Sequence, residues 1–385
     1  MNYPIYFKRI AFFCILTIFS VTFAFAQTTK STEPRQEKLL NGLKLLVWNE
    51  PSAEKLTLKL RIHSGSAFDP KDKMGAMALL AEILFPNEQS KALFIEDLNG
   101  SLDITTTYDY IQITATGKPD EALTMIQTIA NAVTRPQITP DNFKIVRDAR
   151  LKRVQELEKN PAYVADRAAA KQFYGEFPYG RNAEGTPESL AKLDYADLLF
   201  AKERFLTSDN ATLAISGNIK FDYAYRVCRQ LFGTWVKSDK KVPATFTMPN
   251  EPDLTPQMIN FSKTEPNSAG SEIRFATRGF ARNDKDYFAI RFLATLLQDR
   301  FRAKVGNDLQ NGVSVTHERT LLPGLVFFKF SLKNNATEIV NPVIWLKEPV
   351  TSAEFEQTRT KVLAEIEAKS MADKMLDIDT FKLVS

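Results

Sequence analysis

The chain has 385 residues, of which 44% are hydrophobic and 25% charged, the proportions of a globular protein rather than a disordered or fibrous one. Its formal net charge is only +4, with acidic and basic residues interspersed, which argues against a nucleic-acid-binding surface and against a basic stripe for membrane binding. A chain of this length predicts two domains rather than one.

The first 26 residues have the pattern of a secretory signal. Lys8 and Arg9 precede an apolar run from Ile10 to Phe25, and Ala24-Phe25-Ala26 has small residues where a signal peptidase cuts. We therefore predict cleavage after Ala26 and a periplasmic or secreted protein without a membrane attachment. The alternative is that the apolar run stays uncleaved as a membrane anchor.

Strand and helix patterns alternate through the first half. The Asn41-Gly42 turn predicts a hairpin, and the two-residue alternation from Leu56 to Ser66 predicts a strand with one buried face. Apolar residues at helical spacing predict a helix from about Met74 to Leu84. The later predicted elements are a helix at 90–98, strands starting at 100 and at 110–117, helices at 119–133, 140–158 and 162–173, a loop at 175–193 that returns to a helix, and a strand at 207–219.

A charged and then proline-rich stretch at 238–256 has no periodicity and predicts a linker. It divides the chain after the signal into an N-terminal domain at 27–237 and a shorter C-terminal domain at 257–385. The second domain weakly repeats the first, because a strand at 271–280 and the pair Asp284-Lys285 precede a helix from Tyr287 to Gln298. We expect that the C-terminal domain is truncated or has lost a terminal element.

The reactive side chains are few. Cleavage of the signal would leave one cysteine, Cys228, on an amphipathic helical stretch, where a buried structural thiol is expected. The two histidines, His63 and His317, have no metal-ligand spacing, and a structural role is expected for the strand residue His63. A serine or cysteine triad that uses either histidine stays open, although no G-x-S-x-G pattern supports it.

Three segments in order resemble the M16 metallopeptidase family, the pitrilysin and insulinase relatives. They are the block from Gly65 to Phe85, the loop Pro178-Tyr179-Gly180-Arg181 and the strand from Asp209 to Gly217. The resemblance extends from about Leu39 to Lys361. It implies an α+β fold of two homologous M16-type α/β halves, with antiparallel-rich sheets packed with helices.

Active family members carry H-x-x-E-H on the first of these helices, where two histidines hold zinc and the glutamate activates water. The resemblance places Ala78 and Glu82 at the two histidines and Ala81 at the catalytic glutamate. The third ligand, a later glutamate, corresponds to Arg153. We therefore predict no metal site and no zinc cofactor. Glu82 is expected to be the lone acid there and to pair with Arg153.

Family members also bind the substrate backbone through an arginine and a tyrosine of the second half. The segment from Arg302 to His317 places Asp308 and Val315 at those positions, so this substrate-binding pair is predicted to be absent.

The resemblance implies a non-catalytic homologue, a pseudoenzyme, that pairs with an active zinc M16 peptidase subunit around peptides. No nucleic-acid partner is expected. Two alternatives stay open: a stand-alone peptide-binding or scaffold protein, and an active zinc metalloendopeptidase with an unconventional site.

Overall fold

The computed structural model describes residues 34–248, 270–305, 312–333 and 347–384. The predicted signal at 1–26 lies outside these residues, as do the end of the predicted linker and Asp308. The compact unit that contains the described fold is Arg35–Ser385. No helix within the described residues combines the length and apolarity needed to cross a membrane.

Six strands form one mixed sheet in the first half of the chain, in the spatial order β1-β2-β6-β3-β5-β4. All neighbours are antiparallel except β2 and β6, which are parallel. Among the described strands, β4 pairs only with β5 and is therefore an edge strand. The strands are β1 (Arg35–Lys38), β2 (Lys44–Asn49), β3 (Leu56–Ile62), β4 (Ser101–Thr106), β5 (Ile111–Gly117) and β6 (Ala211–Gly217).

Helices cover one face of this sheet and enclose a core of aliphatic side chains from the alternate positions of β3 and β5. Several helices have strong start signals, because Thr139, Asn160 and Thr186 each cap the first turn and are each followed by proline. The helices are α1 (Ala76–Glu82), α2 (Gln89–Glu96), α3 (Ala122–Thr134), α4 (Pro140–Leu157), α5 (Pro161–Tyr174), α6 (Pro187–Lys192), α7 (Tyr195–Phe205) and α8 (Phe221–Phe232).

A second sheet follows, of three antiparallel strands in the order β7-β9-β8. Helix α9 packs on one face of this sheet, where alternate residues of β9, Val326, Phe328 and Phe330, are buried. The elements are β7 (Gly270–Arg278), α9 (Tyr287–Lys304), β8 (Val313–His317), β9 (Leu325–Lys333), α10 (Ser352–Glu367) and α11 (Met371–Val384).

Each half of the chain contributes one helix that packs on the sheet of the other half. Helix α5, from the first half, packs on the other face of the second sheet through Ala170 and Tyr174 against Leu325 and Phe327. Helix α11, from the second half, packs on the other face of the first sheet, around Leu376. Each half therefore depends on the other to bury its sheet.

Acidic residues fix both exchanged helices to basic residues of the sheets. On α5, Asp166 accepts from Arg274 and, at 2.6 Å, from Lys329. On α11, Asp373 pairs with Lys59 and Asp379 pairs with Lys44. These ion pairs orient each helix on its sheet in addition to the apolar contacts.

The mixed α+β class is confirmed, as is the helix predicted from about Met74 to Leu84. The strand predicted to reach Ser66 ends at Ile62, because the chain turns into a single 3-10 turn at Ser66–Phe68. His63 therefore follows the strand instead of lying in it. Helix α9 runs to Lys304, beyond the predicted end at Gln298. The domain boundaries stay a prediction.

We predict that Asp166→Asn lowers the free energy of unfolding by about 1–3 kcal/mol, because the nearly buried Arg274 guanidinium loses a charged partner. The control is Asp148→Asn, which removes an exposed acid paired with its neighbour Arg147 and should cost less than about 0.5 kcal/mol. Urea unfolding of both variants measures the difference. Equal losses of unfolding free energy in the two variants would contradict a stabilising role for the ion pairs of Asp166.

Candidate functional site

Helix α1 begins on a buried carboxylate. Asp69 accepts hydrogen bonds from the backbone N–H groups of Gly75 at 2.7 Å and Met77 at 2.8 Å. Burial raises the pKa of Asp69 to about 7, against the opposing effect of these two N–H groups and of Arg150 and Arg181. Asp69 thereby fixes the start of the helix that carries the predicted site positions.

Gly75 lets a loop approach α1 closely. Its φ of 95° lies in the left-handed region, and a Cβ there would come within 2.9 Å of Leu190 and 3.2 Å of the Glu184 carbonyl oxygen. The loop at 182–186 therefore rests on the start of α1, and this contact brings the Glu184 side chain to the site.

One face of α1 lines a cavity of about 330 Å³. Ala78, Ala81 and Glu82 share this face because residues three and four apart lie on the same side of a helix. The other walls come from edge strand β4, helix α4 and the 182–186 loop. They are lined by Ile104, Thr105, Thr106, Arg150, Arg153, Leu157 and Glu184.

Two acids and two arginines form an ion cluster in this cavity. Glu82 Oε1 accepts from Arg150 Nη1 at 2.8 Å and from Arg153 Nη2 at 2.6 Å. Glu184 Oε2 accepts from Arg150 Nη2 at 2.8 Å and from Arg153 Nη2 at 3.4 Å. The four formal charges cancel within the cluster.

The two arginines differ in how firmly they are held. The Arg150 side chain is 3% exposed and donates through Nε as well, to the Glu184 carbonyl oxygen at 2.9 Å. The Arg153 side chain is 51% exposed and makes its contacts through Nη2. Arg150 is thus a structural part of the site, whereas Arg153 closes the cluster from the solvent side.

The predicted pair between Glu82 and Arg153 is confirmed, whereas the expectation of a lone acid is wrong. Arg150 could have been found, because it lies one helical turn before Arg153 on the same face of α4. Glu184 lies in a loop about a hundred residues from α1 along the chain, and nothing in the local sequence indicates that it reaches the site.

The positions predicted from the second half lie elsewhere or outside the described residues. Asp308 falls in the undescribed segment 306–311. Val315 is buried in the core between β8 and α9 and is not among the residues that line the cavity.

Neither histidine belongs to the cavity. His63 Nε2 lies 2.9 Å from Thr212 Oγ1, and burial lowers its pKa to about 4. Burial, with Arg319 and Arg291, also lowers the pKa of His317 to about 4. The Cys228 thiol is buried, which raises its pKa to about 12 and leaves it unreactive. Within the described ranges, no three His, Cys, Asp or Glu residues converge to hold a metal ion.

Two family models match the chain. The model described as insulinase, peptidase family M16, matches residues 44–187, and that described as peptidase M16 inactive domain matches residues 192–362.

Among curated proteins, the cytochrome b-c1 complex subunit 1 of Saccharomyces cerevisiae is 30% identical over 53% of this chain and 45% of its own length. A probable mitochondrial-processing peptidase subunit beta of Arabidopsis thaliana is 23% identical over 74% of this chain and 55% of its own. The chain thus spans about half the length of these curated relatives.

A solved structure of a peptidase M16 inactive domain from Pseudomonas fluorescens has the same fold. It superposes with a TM-score of 0.77 at 18% identity, covering 92% of this chain and 88% of the other.

We predict that Arg150→Met lowers the free energy of unfolding by about 2–4 kcal/mol, because two carboxylates lose their buried partner and repel each other. Arg153→Ala should cost less than about 1 kcal/mol, since its ion pairs are exposed. Denaturant titration of the two variants makes the comparison, and a larger cost for Arg153→Ala would contradict the assignment of Arg150 as the structural member.

The neutral state of His317 predicts acid sensitivity. The pKa of this histidine is 6.5 in the unfolded chain and about 4 in the folded chain. Its contribution to the free energy of unfolding is therefore fully present above pH 6.5 and is lost as the pH falls towards 4. Because both ring nitrogens lack hydrogen-bond partners among the described residues, His317→Phe removes the titration without removing a bond. Between pH 7 and pH 5 the wild type should lose about 1–2 kcal/mol more than this variant in denaturant titrations, the upper value being the one that the two pKa values give without solvent screening. Parallel losses would contradict the prediction.

Proposed function

The chain belongs to the M16 peptidase family, and from this premise we propose that it is an exported, non-catalytic member that acts as the partner subunit of an active zinc M16 peptidase. The observation that carries the proposal is the ion cluster of Glu82, Arg150, Arg153 and Glu184, which occupies the helix face where the family's zinc motif aligns.

The residues at this face do not fit a zinc ion. A catalytic zinc needs three protein ligands and an open position for water. Ala78 and Ala81 offer only methyl groups, and each available carboxylate, Glu82 and Glu184, is already bound by two guanidinium groups. The buried and permanently charged Arg150 guanidinium beside the site would also repel a metal cation. No group at Ala81 could take a proton from water, so no hydrolytic step can be assigned to this site.

The same cavity is suited to holding a peptide. On one side, edge strand β4 has no strand partner in the part of the chain that the structure describes, and its residues Ile104, Thr105 and Thr106 line the cavity. A peptide could extend the sheet along β4 through backbone hydrogen bonds and place alternate side chains in the cavity. This arrangement supports peptide binding without cleavage.

A partner subunit role is supported by the names of relatives. The curated yeast and Arabidopsis relatives are both called subunits, one of the cytochrome b-c1 complex and one of a mitochondrial-processing peptidase. The basic and apolar pattern of residues 1–26 supports export to the periplasm or secretion.

A duplicated origin of the two halves is supported by their topology. The order β3-β5-β4 in the first sheet matches β7-β9-β8 in the second, and a helix follows β3 as α9 follows β7. The exchanged helices α5 and α11 also correspond, since each lies on the sheet of the other half.

A stand-alone peptide-binding protein is the second candidate, favoured by the free edge of β4 beside the cavity. Affinity capture of the tagged protein from its own cells separates the two candidates. Recovery of a stoichiometric M16 protein that carries H-x-x-E-H supports the partner role, whereas recovery of peptides alone supports the stand-alone role.

We predict that the purified mature protein, supplied with zinc, does not cleave a mixed peptide library, since its site holds no metal ligand set and no base. The measurement is mass spectrometry of the library after incubation, with and without a chelator. Chelator-sensitive cleavage by the isolated chain, together with one bound zinc per molecule, would overturn the proposal and support an active enzyme with an unconventional site.

A further inference from the structure

We infer that Glu82 and Glu184 form a binding site for a cationic side chain of a bound peptide. The Arg153 side chain of the protein itself occupies this site and competes with the peptide for it. The inference rests on the proposed peptide binding along β4 and names the side-chain class that the cavity selects.

The two arginines of the cluster differ in how easily a ligand could displace them. Arg150 donates through Nε and both Nη atoms and is almost fully buried, so it cannot leave without disrupting the loop at 182–186. Arg153 is half exposed and donates through Nη2 only. An exposed ion pair contributes little free energy, so a ligand can displace Arg153 at small cost.

Arg153 neutralises one negative charge of the cluster. Two carboxylates and the Arg150 guanidinium leave one net negative charge when Arg153 swings out. Glu82 Oε2 and Glu184 Oε1 accept no hydrogen bond from the described residues, so both remain open to a donor. A ligand carboxylate would meet two like charges here, whereas a guanidinium or ammonium group would replace the Arg153 contacts.

The lining of the cavity is also suited to a cationic side chain. Ala78, Ala81, Ile104 and Leu157 provide apolar walls, and the carboxylates lie in the same cavity. The aliphatic stem of an arginine or lysine side chain is suited to apolar walls of this kind, with its charged end at the acids. A peptide on β4 directs every second side chain to the same face, so one residue in two could enter.

The test compares wild type with Arg153→Ala in the full mature chain. The control is Lys152→Ala, which removes an equal charge from an exposed neighbouring position of α4. The probes are short fluorescent peptides of alternating threonine and arginine, threonine and glutamine, or threonine and glutamate, and the readout is fluorescence anisotropy.

We expect Arg153→Ala to bind the arginine peptide roughly threefold to fivefold more tightly than wild type, because an ion pair worth up to about 1 kcal/mol no longer competes. Lys152→Ala should match wild type, and the glutamine peptide should bind both variants equally. Adding Glu184→Gln to Arg153→Ala should abolish the gain, with the melting temperature checking that the double variant is folded.

Unchanged or weaker binding of the arginine peptide by Arg153→Ala would overturn the inference, as would an equal gain for the glutamine peptide. Binding of the glutamate peptide that is lost in Arg153→Ala would show instead that Arg153 recognises an anion. In each of these cases peptide binding itself persists, so the proposed function stands. Absence of binding by any peptide to any variant would overturn both.

Discussion

The buried guanidinium of Arg150 is the interaction on which the site depends. It joins helix α4 to helix α1 through Glu82 and to the 182–186 loop through both the side chain and the backbone of Glu184. A charge this deeply buried is tolerated only when its donors are matched by acceptors. The three elements are therefore held together by one cation that cannot be exchanged for a metal ion without leaving its hydrogen bonds unmade. The same constraint leaves Arg153, which is half exposed, as the less firmly held member of the cluster.

The scaffold around this site is stabilised by helix exchange. Within the described ranges, neither sheet is covered on both faces by its own half, and α5 and α11 each bury the sheet of the other half. Asp109 adds a link between the halves, since its carboxylate accepts from the Tyr179 hydroxyl and from the Leu321 backbone N–H. This arrangement fixes the wall of the cavity indirectly, because α5 continues into the loop that carries Glu184.

Much of the fold, and part of the site, can be predicted from the sequence. The strand and helix periods locate most elements, and the helical spacing of Ala78, Ala81 and Glu82 places them on one face. The pairing of Glu82 with Arg153 also follows from placing both at positions that the family uses for one metal. Glu184 could not be predicted, because its place depends on the close approach of its loop to Gly75 in the folded chain. The packing of α11 was hidden for a similar reason, because the sequence of this helix does not indicate which sheet it covers.

We predict that the ion cluster, and not a metal ion, occupies this helix face. The most direct measurement is a crystal structure of the mature protein grown with zinc, with anomalous diffraction recorded at the zinc absorption edge. We expect no anomalous peak in the cavity and Arg150 bonded to both glutamates. A zinc peak bound by Glu82 and Glu184, with Arg150 displaced, would contradict it.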